Sequence, residues 1–89
     1  MKLAVSPNVL EQQLGDEVVL LDLESGRYFG LQEVGARAWR LLTASGDTAA
    51  VQAQMLDEFE VEEAVLRHDL DALWQGLLDA GLVEAAPGS

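Results

Sequence analysis

Eighty-nine residues make one domain, with no room for a cofactor domain beside a substrate domain. Hydrophobic residues are 49% of the chain, enough for a thin core and too many for a disordered polymer. Sixteen acids against five bases give a net charge of -11, which argues against nucleic acid and anionic membrane as partners, since both attract cations.

There are no cysteines, so no disulfide, thiolate zinc site or cysteine nucleophile is possible. The start, Met1-Lys2-Leu3-Ala4-Val5-Ser6-Pro7, is too short and polar for a signal peptide. The longest apolar run, Val18-Val19-Leu20-Leu21, cannot span a bilayer. The expected location is the cytoplasm.

In chain order, Val9–Leu14 reads as a short strand and Gly15-Asp16 as a turn. Residues 17–23, rich in Val and Leu, read as a buried strand. A Glu24-Ser25-Gly26 loop, with glycine last, suits a hairpin with a bulge. Residues 27–31 are then the return strand. After Gln32 the period becomes helical: Val34, Ala38, Leu41 and Leu42 share a face, with Trp39 at its edge. Ser45-Gly46-Asp47 ends that helix, and Asp47 or Thr48 caps the next. Val51, Met55 and Phe59 line a second helix, and Glu60-Val61 is a tight connection. Residues 62–80 form a third helix with a stripe of Leu66, Leu70, Leu73 and Leu77, stopped by Gly81. Leu82-Val83 packs back on the core or adds a short strand. The expected domain covers 1–89, with its core at about 9–83 and a flexible tail at 84–89. The fold class is α+β: a three-stranded antiparallel sheet followed by a three-helix bundle, resembling a winged helix-turn-helix.

Catalytic groups are scarce. His68 is the only histidine, and helical spacing turns it away from the leucine stripe, toward water. No serine has a nucleophile-elbow setting, and Gly26, Gly30 and Gly35 form no phosphate loop. Asp57-Glu58 and Glu62-Glu63 read as solvated faces, without metal-ligand spacing. No cofactor, metal or enzymatic activity is expected. A DNA-reading third helix would need to be basic, yet Arg67 stands against Glu62, Glu63, Asp69, Asp71 and Asp79.

Two features point to a binding surface. The return strand Arg27-Tyr28-Phe29-Gly30-Leu31 has one edge paired in the hairpin, which leaves its other edge able to accept a peptide strand. Gly30 would let another backbone approach closely. On the third helix, Trp74 and Leu78 fall to one side of the leucine stripe, with Arg67 and Asp71 in the same sector. That flank has the amphipathic character of a groove wall. Arg27, Arg37 and Arg40 form the one place that would welcome an acidic peptide.

The stretch Val18-Val19-Leu20-Leu21-Asp22-Leu23-Glu24-Ser25-Gly26-Arg27-Tyr28-Phe29-Gly30-Leu31-Gln32-Glu33-Val34-Gly35-Ala36-Arg37-Ala38-Trp39 resembles the PqqD-like family. More narrowly, it is similar to the stand-alone leader-binding proteins of lasso-peptide biosynthesis, the RiPP recognition elements. Arg67-His68-Asp69-Leu70-Asp71-Ala72-Leu73 and Leu77-Leu78-Asp79-Ala80-Gly81-Leu82-Val83 are similar to that family's third helix and exit. The resemblance implies a non-enzymatic module that takes the leader of a precursor peptide as an added strand. It implies a docking edge at Arg27, Tyr28, Phe29, Gly30 and Leu31, and a groove wall of Arg67, Leu70, Asp71, Trp74 and Leu78. Implied partners are a leader peptidase (a transglutaminase-like cysteine protease) and a macrocyclase. The chain departs from the pyrroloquinoline-quinone proteins in carrying Asp22-Leu23-Glu24-Ser25-Gly26 instead of a Pro-Glu-Arg-type segment, which favours the lasso branch. Glu62 stands where the family often has a better helix cap. The alternatives are a winged-helix DNA-binding regulator, a PqqD-type carrier in pyrroloquinoline quinone biosynthesis, and a cryptic hydrolase.

Overall fold

The computed structural model describes residues 1–86. Five strands and three helices follow in the order β1 (Leu3–Val5), β2 (Val9–Leu14), β3 (Glu17–Asp22), β4 (Arg27–Gln32), α1 (Val34–Ser45), α2 (Thr48–Glu58), α3 (Glu63–Asp79) and β5 (Val83–Ala85). Strands β2, β3 and β4 form an antiparallel meander with β3 in the centre. The fold class is the α+β arrangement expected.

Both hairpins are set by their turn residues. Leu14 pairs with Glu17, so Gly15-Asp16 is a two-residue turn. Gly15 has φ +63°, which a side chain would resist there. In the β3–β4 turn the Asp22 carbonyl accepts from Gly26 N at 2.7 Å. The Asp22 side chain accepts from Ser25 Oγ at 2.9 Å and Glu24 N at 3.0 Å. Hydrogen bonds from Ser25 and then Glu24 hold the Asp22 carboxyl below its ordinary pKa. The loop is one residue longer than expected: Leu23 leaves the strand and is exposed.

Alternation sorts the sheet into two faces. Val18 and Leu20 point inward and are fully buried; opposite them stand Leu31 and Phe29 of β4. They meet Ala36, Ala38, Trp39 and Leu42 of α1, Val51 and Met55 of α2, and Leu66, Leu70, Trp74 and Leu77 of α3 in one contiguous core. Trp39, expected at the edge of its face, has no exposed surface. Its indole N–H donates to Glu11 Oε1 of β2 at 2.5 Å, the partner a buried indole requires.

A separate two-stranded ribbon joins β1 to β5, with Leu3 opposite Ala85 and Val5 opposite Val83. This corrects two boundaries. Leu3 is part of the core, which was expected to begin near 9, and residues 84–85 lie in a strand, not a free tail. Ala86 N donates to Lys2 O at 2.9 Å; residues 87–89 of the expected tail lie outside the described residues. Three-residue strands are too short to show a period, and their partners are separated by nearly the whole chain.

Helix ends follow local chemistry. Asp47 caps α2 by accepting from Ala49 N at 3.0 Å. Gly81, at φ +74°, ends α3 while Leu82 N donates to Leu77 O at 3.0 Å. Glu62 makes no side-chain cap to α3. Glu33, ahead of α1, is the exception: it holds φ 49° and ψ -113° with no side-chain cap. That backbone region belongs to glycine, and holding a glutamate there stores strain. Glu33→Gly should therefore raise stability by about 1 kcal/mol, the relieved strain exceeding the added freedom of the unfolded chain. An upward shift of the urea midpoint with an unchanged slope is the expected reading; a downward shift would show no strain at Glu33.

Candidate functional site: a free strand edge beside an apolar groove

The sheet order leaves β4 with a neighbour on one side only, among the described residues. In an antiparallel pair every second residue directs its N–H and C=O to the partner strand. The residues between direct theirs outward, so β4 offers a row of free backbone donors and acceptors. Arg27 and Tyr28 are exposed, the latter at 72%, and Phe29 and Leu31 are half-buried toward the helices.

Beside this edge lies a cavity of about 280 Å³. Phe29, Gly30 and Leu31 form one wall; Ala72, Leu73, Gly76 and Leu77 of α3 form the other. The lining side chains are all apolar, with small residues at Ala72 and Gly76 keeping the helix side low. Gly76 has no positive φ, and a Cβ there would meet nothing within 4 Å. The chain's own packing gives no reason for a glycine inside a helix, where it costs about 1 kcal/mol relative to alanine.

The expected groove wall does not line this cavity. Trp74 and Leu70 are each 2% exposed and belong to the core. Leu78 is half-buried against that core, and Arg67 and Asp71 are exposed. None of these five lines the cavity beside β4. At about 100° per residue, Gly76 and Ala72 lie roughly 90° and 130° to one side of the leucine stripe, while Leu78 and Asp71 lie equally far to the other. Periodicity defines the stripe and its two flanks; which flank meets the sheet is set by how α3 packs on α2 and β5. Trp74 marks one flank; Gly76, a glycine inside an amphipathic helix, marks the flank beside β4.

The arginines also divide differently. Arg37 makes a two-pronged contact with Glu58, Nε to Oε1 at 2.7 Å and Nη2 to Oε2 at 2.6 Å, tying α1 to α2. Arg40 donates to Gln13 Oε1 and to the Gly15 carbonyl, both at 3.0 Å. Neither is free to receive an acidic peptide. A second hollow, about 350 Å³, is lined by Asp16, Glu33, Val34, Phe59 and these same two arginines. Arg27 and Arg67 have no side-chain partner among the described residues. No group of three or more acids or histidines there could hold a metal ion, and no helix is long and apolar enough to cross a membrane.

An antiparallel meander on three helices, with its last strand open beside an apolar groove, defines a class. The chain belongs to the PqqD family: the family model described as Coenzyme PQQ synthesis protein D matches residues 17–83. Two solved structures are similar across nearly the whole chain. The first, "TbiB1 in Complex with the TbiA(beta) Leader Peptide", is 34% identical, covers 97% of this chain and 98% of its own, and has a TM-score of 0.88. The second, "Lasso peptide synthetase B1 complexed with the leader peptide", is 27% identical, covers 94% and 99%, and has a TM-score of 0.84. No curated protein matches.

Hydrogen bonds from Arg37 and then Gln54 hold the Glu58 carboxyl down at about 2, from an ordinary 4.5. A depressed folded-state pKa contributes stability above the unfolded value and loses it as pH falls through the folded one. Glu58→Gln should thus lower the urea midpoint at pH 7, and the gap to the parent should close between about pH 4.5 and 2. A gap independent of pH would show that the pairing adds no stability through charge.

Proposed function

We propose that this chain binds the leader segment of a ribosomally made precursor peptide, that of a lasso peptide, by strand addition to β4. The observation that carries the reading is the free β4 edge running beside the cavity between Phe29, Leu31, Leu73 and Gly76. Backbone hydrogen bonds to the edge give affinity for any extended chain. Guest residues opposite Phe29 and Leu31 direct their side chains into the cavity and give selectivity. Ordering a flexible leader opposes binding, so these apolar anchors must supply the surplus. The two similar structures, each a B1-type protein with its leader peptide, support this reading over a carrier in pyrroloquinoline quinone biosynthesis. The acidic charge on α3 disfavours a DNA-binding regulator.

In this reading the module is non-catalytic and cytoplasmic. It presents the leader to a separate peptidase of the transglutaminase-like cysteine class and then to the macrocyclase. In this reading the docking edge is Arg27, Tyr28, Phe29, Gly30 and Leu31, and the facing wall is Ala72, Leu73, Gly76 and Leu77. Arg67 and Asp71, exposed on the other flank, are available to other partners.

Gly76→Leu tests the site apart from the fold. A Cβ at this position meets nothing within 4 Å, the rest of the side chain enters open apolar space, and leucine improves helix propensity, so the urea midpoint should hold or rise. It fills the cavity, so binding of the fluorescently labelled TbiA(beta) leader peptide should weaken by about tenfold or more. Equal binding by both proteins, or none by the parent, would overturn the site. Trp74→Ala should do the opposite in kind, removing about 3–5 kcal/mol of stability by opening the core. A well-folded Trp74→Ala protein with a selective binding defect would restore the flank rejected above.

A further inference from the structure

The sheet has a second border. Strand β2 also has a neighbour on one side only among the described residues, and Leu10 through Leu14 along it are all exposed. Helix α1 packs chiefly against β4 and β3, which leaves this border clear. Leu23 N donates to Asn8 O at 2.8 Å, and hydrogen-bonded positions alternate along an antiparallel pair. Leu10, Gln12 and Leu14 therefore bond to β3, while Glu11 and Gln13 direct their N–H and C=O away from the sheet. Leu10 and Leu14 stand on the outer face, 55% and 51% exposed. An uncovered edge carrying two exposed leucines is an arrangement soluble sheets ordinarily avoid.

We propose that a second copy of this chain pairs here, β2 against β2, antiparallel about a two-fold axis at Gln12. The outward backbone groups belong to Glu11 and Gln13, so these residues must face each other or themselves. An axis at Glu11 sets its carboxylate against its twin, which is repulsive. An axis at Gln13 sets Leu14 against Gln12 and leaves Leu10 without an apolar partner. With the axis at Gln12, Glu11 faces Gln13 of the second copy and exchanges both backbone hydrogen bonds with it. Leu10 faces Leu14 of the second copy at the non-hydrogen-bonded positions, where side chains approach most closely. Gln12 faces itself, and its amide both donates and accepts. Gln13, which accepts from Arg40 at 3.0 Å, carries that guanidinium toward the second copy's Glu11 carboxylate. Shape and charge thus match in one register. The contact is smaller than the roughly 1,200–2,000 Å² of a stable interface, and a net charge of -11 on each copy opposes it. The dimer is accordingly weak, and salt strengthens it by screening. Joining two three-stranded sheets leaves an open β4 at each end, about 24 Å apart, so the inference is independent of what β4 takes up.

Sedimentation equilibrium on the full chain should show a monomer–dimer equilibrium with Kd on the order of 100 µM in high salt, weakening as salt is lowered. A monomer throughout at about 1 mM, ten times that Kd, overturns the proposal. Register is read by cross-linking, since an introduced cysteine is the only thiol present. Gln12→Cys should oxidise readily to a disulfide dimer, because residues on the axis have Cα atoms about 4.5 Å apart. Leu10→Cys and Leu14→Cys should each cross-link poorly alone and readily when mixed. Tyr28→Cys, equally accessible on β4, should not cross-link. Equal cross-linking by all four variants, or preference for Tyr28→Cys, overturns the β2 contact. Gln12→Glu and Gln12→Lys, at an exposed position, should each weaken the dimer about two- to fivefold by setting like charges on the axis. An equimolar mixture of the two should recover the association; no recovery overturns the register and the proposal with it.

Discussion

A buried indole N–H must find an acceptor, and the arrangement of this molecule follows from how Trp39 meets that requirement. Its ring has no exposed surface, and its N–H reaches Glu11 on the inner face of β2. Gln13, two residues along the same face, accepts from Arg40 of the same helix. The polar inner side of β2 is thereby committed to α1. Ala36 and Ala38 keep that helix close. The apolar inner side of β4 flanks α3, and the small residues Ala72 and Gly76 leave the space between them unfilled.

Charge is organised around this frame without defining the site. The net charge of -11 is spread over strands, turns and helices alike, and two of the arginines serve the frame. Arg37 joins the first two helices through Glu58, and Arg40 fastens α1 to the β2–β3 turn. The groove itself is lined only by apolar and backbone atoms. Affinity at such a surface comes from burying apolar area and from completing a ladder of backbone hydrogen bonds, neither of which depends strongly on salt.

Much of this was legible in the sequence because it is local. Gly15 and Gly26 declare their turns by positive φ angles that glycine adopts without strain, and the leucines of α3 declare a core stripe by spacing. The open edge of β4 followed from counting strands. What was hidden depends on contacts between distant segments. Trp39 looked marginal because its acceptor, Glu11, lies 28 residues earlier. Trp74 looked like a groove residue because a helical wheel has two mirror-related flanks and no sheet to choose between them. The side of α3 that faces β4 was marked by Ala72 and Gly76, which announce themselves by what they lack.

The β1–β5 ribbon has a consequence for how the chain is made. Leu3 is synthesised well ahead of residues 83–85, whose strand pairs with its own in the folded molecule. Bringing such remote segments together is an entropically late event. A nascent chain can close its meander and helices first, but β1 waits, greasy and unpartnered, until residues 83–85 have followed it out. Loss of those residues would leave a molecule whose central architecture is intact and whose β1 is adhesive.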